Sequence, residues 1–169
     1  MNAPNPVDQM IEWCTAAGYQ GGAPRGTADG AIFLHDRFHP VSMALDGDDI
    51  ALMLGVPVPA GALQGGDALP TDRLAHLVDH TATLRAGRMT GSLVDGAEGL
   101  LARFTRLIDK GAGRGAVLDA LADLDRCRLD FHELVELDRA AAAARRATAE
   151  LTEQLARLGD DIAGDISTT

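Results

Sequence analysis

His76 and His80 stand four residues apart in His76-Leu77-Val78-Asp79-His80, which puts both imidazoles on one helical face at a spacing able to hold a metal. The position after the first histidine, where a zinc protease carries its glutamate, is Leu77, and no cysteine or further histidine cluster completes a shell. A surface or interface role fits this pair better than a metal site. Gly111-x-Gly113-x-Gly115 lies between a predicted strand and a predicted helix, as a phosphate-cradling loop would. It is one residue short of the dinucleotide fingerprint and no parallel β-α-β unit follows, so it reads as a connector. Asp46, Asp48 and Asp49 lack the calcium loop with its internal glycine and terminal glutamate, and read as a solvated hairpin tip. His35-Asp36 and His39 have the types for acid–base work, yet no serine or cysteine in a sharp turn stands near them. No catalytic residue, metal site or cofactor is expected, and the chain is not expected to be an enzyme.

The composition narrows the classes that remain. A formal net charge of -10 repels phosphate backbones and anionic lipid, so neither nucleic acid nor a membrane surface is an expected partner. Only 4% of residues are aromatic against 46% hydrophobic, which leaves an aliphatic core and few platforms for stacking on bases. Lys110 is the only lysine among many arginines, and with abundant Ala and Gly this resembles the codon usage of a GC-rich bacterial genome. Cys14 and Cys127 both fall on predicted helices and read as buried, inert thiols rather than a disulfide framework. No apolar run approaches the roughly 18 residues a membrane span needs, and Met1 to Pro6 lack the pattern of a signal peptide. A cytoplasmic location without membrane insertion is expected.

The elements that position these residues follow from periodicity and punctuation. Asn5-Pro6 opens a helix over 6–17, in which Val7, Met10, Ile11 and Cys14 recur at helical spacing. Three strands in a meander are predicted across 30–58, with Val41, Met43 and Leu45 alternating before the Asp46-Gly47-Asp48-Asp49 turn and Ile50, Leu52 and Leu54 after it. Residues 57–69 read as a connection. A second helix opens at Pro70-Thr71-Asp72, with Leu74, Leu77, Val78 and Leu84 on one face. Met89–Val94 and Leu100–Ile108 read as a strand pair around Asp95-Gly96-Ala97-Glu98-Gly99. A long helical region follows Gly115, with a break expected near 126–140, because an uninterrupted helix of that length is unusual. The tail from Gly159 is expected to fray. The order α-β-β-β-α-β-β-α, plus an extended C-terminal helix, predicts an α+β fold: an antiparallel sheet with helices on one side.

One surface stands out. Ile32, Phe33 and Leu34 are consecutive apolar residues, so both faces of the first strand carry hydrophobic side chains, and Met43, Met53 and Val56 add to them. In a thin sheet covered on one side, such surface points to a protein partner.

This order and composition resemble the class I type III secretion chaperones, the Tir-chaperone family. The resemblance covers roughly residues 5–137. It rests on the opening helix, the Val41–Leu45 strand, the Asp46-Gly47 turn, the Ile50–Val56 strand, the Asp72–Leu84 helix and the Met89–Ile108 strand pair. It implies a homodimer that binds the N-terminal region of secreted effector proteins in extended form and keeps them export-competent. By position it implies Ile11, Ile32, Leu34 and Met43 as effector contacts, and Leu77, Val78 and Leu93 as dimer contacts. The chain departs from the family in adding the Ala- and Arg-rich helix Arg139–Leu158. This divides it into a chaperone-like domain over 1–138 and an extension over 139–169. A coiled coil across the dimer, docking on a secretion ATPase, and capping of the sheet all remain open as roles for that extension. The alternative from a different class is a structural or regulatory dimerisation domain that binds no effector.

Overall fold

The computed structural model describes residues 6–21, 32–35 and 40–166. Gly47 takes a positive φ of 59°, a conformation that disfavours a β-carbon, and there the chain reverses between β3 (Pro40–Asp46) and β4 (Asp49–Pro57). Apolar residues alternate along both strands, and the register sets Met43 opposite Leu52 and Val41 opposite Leu54. On the far side of β4 lies β6 (Gly99–Asp109), antiparallel, with Ile50 opposite Ile108, Leu54 opposite Phe104 and Val56 opposite Ala102. All nine of these side chains are buried, so one face of the sheet is committed to the core. The full antiparallel order is β1-β2-β3-β4-β6-β5, where β1 is Gln20–Gly21, β2 is Ile32–His35 and β5 is Met89–Gly96.

The helices cover that face alone. α3 (Thr71–Thr83) buries Leu74, Leu77, Val78 and Ala82, and it packs on β5. α4 (Arg114–Ile166) lays Val117, Leu121, Leu124, Phe131 and Val135 along β4 and β6. Phe131 meets Phe104 edge to face, with ring centroids 6.0 Å apart. α1 (Pro6–Ala16) and the short α2 (Ala60–Leu63) pack against α4. The fold is α+β with helices on one side of an antiparallel sheet, as the element order implies. Arg106 occupies an inward position opposite Leu52 near the end of this core. Its guanidinium donates to the Ala86 carbonyl and approaches Asp123 of α4 at 3.9 Å, which accounts for a charge there.

Three expectations need correction. No break interrupts α4 near 126–140: it is one helix of 53 residues. Nothing between Arg126 and Ala140 is Gly or Pro, and the ion pairs Arg128–Asp125 and Arg139–Glu136 run along the helix at i,i+3. α4 also runs through Gly159 to Ile166, because an isolated glycine costs only about 1 kcal/mol in a helix. The expected connection 57–69 contains α2, held by Asp67 accepting from Arg139 at 2.9 Å. The expected cap at Asn5 and the 36–39 segment lie outside the described residues.

Replacing Phe131 by Ala should destabilise the chain by about 3–5 kcal/mol, measured by chemical denaturation, because the ring is fully buried between α4 and the sheet. Gly91→Ala should also destabilise it. A β-carbon at Gly91 would lie 2.7 Å from the Val78 carbonyl oxygen and 2.8 Å from Val78 Cγ1, so α3 would have to move off β5.

Candidate functional site

The residues between the inward positions line the opposite face of the sheet. They include Ala44 of β3, Ala51 and Met53 of β4, Leu101, Thr105 and Leu107 of β6, and Val94 of β5. The pairings Ala51–Leu107 and Leu101–Val94 form two apolar patches on this face, with Ser42, Thr105, Arg103 and Ser92 beside and between them. Among the described residues every helix lies on the other side, so this face is shielded only by its own neighbours. Met53, Val94, Leu101 and Leu107 are half-buried, and Ala51 alone is enclosed, at 6% exposure. Gly55 and Gly96 leave room for Leu101 between them: a β-carbon at Gly96 would lie 2.6 Å from Leu101 Cδ1. β5 pairs only with β6 among the described strands, so its outer edge is open to main-chain pairing.

At the Pro57–Leu101 end this face borders a cleft of about 350 Å³, lined by Pro57, Val58, Ala60, Leu63, Gln64, Glu98 and Leu100 as well as Leu101. Leu63 is 38% exposed at its rim. The lining mixes apolar walls with one carboxylate, Glu98, and one amide, Gln64.

A second cleft, of about 280 Å³, opens between α3 and α4 and is lined by Arg73, His76, Leu77, His80, Leu134, Leu137 and Asp138. The His76 and His80 rings stack with centroids 6.4 Å apart and planes 17° apart. Arg73 grips Asp138 with two parallel bonds, Nε to Oδ2 at 2.5 Å and Nη2 to Oδ1 at 2.7 Å. The hydrogen bond from Arg73 is the main reason the Asp138 carboxyl is held below its usual range; burial opposes the shift and is outweighed. Among the described residues no group of three His, Cys, Asp or Glu is placed to hold a metal. Among the same residues no helix is long and apolar enough to cross a membrane.

The residues singled out from sequence are dispersed. Met43 and Val56 are enclosed at 1% and 0% exposure on the helix-covered face, so neither is available to a partner as the chain is packed. Leu77 and Val78, expected at a dimer contact, are likewise buried in the chain's own core beneath α3. Ile11 and Leu93 are partly buried against that core. The backbone of Ile32 and Leu34 lies in β2, opposite Met43 and Val41, and their side chains lie outside the described residues. Met53 sits on the uncovered face. Its companions Val94, Leu101 and Leu107 were legible as strand residues, but which parity faces outward is set by the register with β4.

Comparison with known proteins adds a fold and no activity. No protein-family model matches the chain, and no curated protein matches it. Among solved structures, the chain is similar to YbjN, a putative transcription regulator from E. coli, with a TM-score of 0.52 and 10% identity over 75% of this chain and 89% of that one. It is similar also to an uncharacterized protein from Methanothermobacter thermautotrophicus, with a TM-score of 0.57 and 13% identity over 78% of this chain and 97% of that one. At such identities the likeness is one of fold.

Two outcomes follow from the titrating groups. Burial pushes the Cys14 thiol up to about 11 and raises that of Cys127, and both side chains are fully enclosed. Neither should react with a thiol reagent at pH 8 until the chain is unfolded, when two thiols should titrate. The depressed Asp138 carboxyl contributes stability that is full above the ordinary value of 3.8 and disappears as the pH falls through its lower folded value. The stability difference between the parent chain and Asp138→Asn should therefore be present at pH 7 and shrink progressively below pH 3.8 in denaturation curves.

Proposed function

We propose that this chain is a polypeptide-binding adaptor of the secretion-chaperone type, which holds the N-terminal region of exported effector proteins in extended form. One observation carries the reading: a sheet face that no described helix covers, where Met53, Val94, Leu101 and Leu107 lie among polar residues and Leu101 borders a cleft sized for a side chain. An extended segment laid along such a face gains area from its apolar residues, and the open β5 edge offers main-chain bonds that tolerate varied sequence. The acidic surface would favour a basic or neutral segment and keep the carrier itself soluble. The order of elements, which resembles that of the secretion chaperones, supports the same reading.

A regulatory role, suggested by the description of YbjN, would in this chain run through protein contacts, because a net charge of -10 opposes binding to DNA.

Titration of the isotope-labelled chain with N-terminal segments of exported proteins from the same source tests the proposal. Amide shifts should concentrate on β4, β5 and β6, and Met53→Glu or Leu101→Glu should weaken binding by about tenfold or more, equivalent to about 1.4 kcal/mol. Shifts confined to α4, or affinity unchanged in both variants, would remove the sheet face from the function.

A further inference from the structure

The apolar stripe of α4 changes sides. Up to Val135 the helix turns Val117, Leu121, Leu124, Phe131 and Val135 inward. From Leu137 onward a different set recurs at alternating steps of four and three: Leu137, Ala141, Ala144, Thr148, Leu151, Leu155, Leu158 and Ile162. At about 100° per residue this second stripe lies nearly opposite the first. Its leucines are exposed in the chain alone: Leu137 60%, Leu151 60%, Leu155 68% and Leu158 58%. Arg139 and Arg146 tie the base of this segment to Asp67 on a different side of the helix, so the stripe stays clear of the domain. The repeat runs for about three to four heptads, roughly 39 Å of helix, the length at which a two-stranded coiled coil becomes sustainable.

We propose that the stripe pairs with the same stripe of a second copy, antiparallel, so that α4 forms a two-helix coiled coil between subunits. The helix is complementary to its own reverse. Small residues occupy the first half of the stripe (Ala141, Ala144 and Thr148), and large ones the second half (Leu151, Leu155 and Leu158). With the centre between positions 149 and 150, each layer built from these six residues joins one of each kind. Ala141 meets the second copy's Leu158, Ala144 its Leu155 and Thr148 its Leu151. Alternation of large and small across a seam is what close packing requires. A parallel pair would stack Ala141 on Ala141 and Ala144 on Ala144, leaving thin layers.

Charge points the same way. Positions 139–148 carry three arginines and no acid, whereas 149–165 carry Glu150, Glu153, Asp160, Asp161 and Asp165 against a single Arg157. Antiparallel pairing sets the basic half against the acidic half, and parallel pairing sets like against like. In this register the second copy's acidic end also reaches the mouth of the α3–α4 cleft, where Leu137 lies beside Arg73, His76 and His80. An isologous two-fold interface uses every element twice, which fits a helix whose two halves complement each other. This pairing is independent of what the sheet face binds.

Sedimentation of the full chain at tens of micromolar should give a dimer, and Leu151→Glu with Leu155→Glu should give a monomer with unchanged circular dichroism and an unchanged domain melting transition. Crosslinking fixes the direction, since Cys14 and Cys127 are enclosed. Chains bearing T148C alone or L151C alone should not form disulfide dimers under mild oxidation, and an equimolar mixture of the two should do so rapidly. Rapid dimerisation of either variant by itself would mean a parallel pair and overturn the proposal. A chain that remains monomeric would also overturn it, assigning the stripe to a different partner.

Discussion

Phe131 of α4 set edge to face on Phe104 of β6 is the contact on which the rest of the molecule depends. It lies at the middle of the strip where a single helix crosses the two longest strands, and its neighbours Leu54, Leu124 and Val135 are all enclosed. With so few aromatic residues in the chain, this pair supplies area that aliphatic side chains would need several positions to match. α1 and α2 pack on α4, α1 also on β1, and α3 lies over β5 and against α4. All covering elements are thereby drawn to one side. The opposite face of the sheet is left uncovered because of this commitment and not for want of apolar residues.

Charged groups then decide how far α4 is held. Arg73 with Asp138, and Asp67 with Arg139 and Arg146, clamp the helix as it leaves the core. Arg139 and Arg146 also occupy the space over Gly61 and Gly66, where a β-carbon would lie 2.8 Å and 2.5 Å from a guanidinium nitrogen. These pairs are partly exposed and each contributes modestly. They tie the helix to α3 and to the segment after α2 as it leaves the core, and its second apolar stripe lies on the side away from Asp67. An uncovered sheet face and an exposed helical stripe are the two surfaces left.

Burial raises both thiols, and the carboxyls of Asp49 and Asp138 are held low by Arg88 and Arg73. The two histidines stack on each other at the edge of a cleft bounded by Leu134 and Leu137. The likeness to YbjN and to the archaeal protein at 10% and 13% identity shows that very different sequences reach this arrangement. That is expected of a fold specified by alternation and turn chemistry more than by particular residues.

The sequence by itself determined the order of the main elements, the one-sided α+β architecture and the burial of the cysteines, because each is written in local signals. Two-residue alternation marks β3, β4, β5 and β6, Gly47 marks the hairpin, and Pro6 and Pro70 mark helix starts. It misplaced the break in α4, since average helix length is a statement about populations, while the absence of Gly and Pro from 126–140 is a statement about this chain. Only the tertiary structure decided which strand residues are available to a partner. Met43 and Met53 look alike in sequence, but pairing with Leu52 places the first under the helices and pairing with Thr105 places the second on the open face. Register and the side on which α4 lands are non-local choices, settled by packing across the sheet, and a one-residue difference in strand position reverses the outcome.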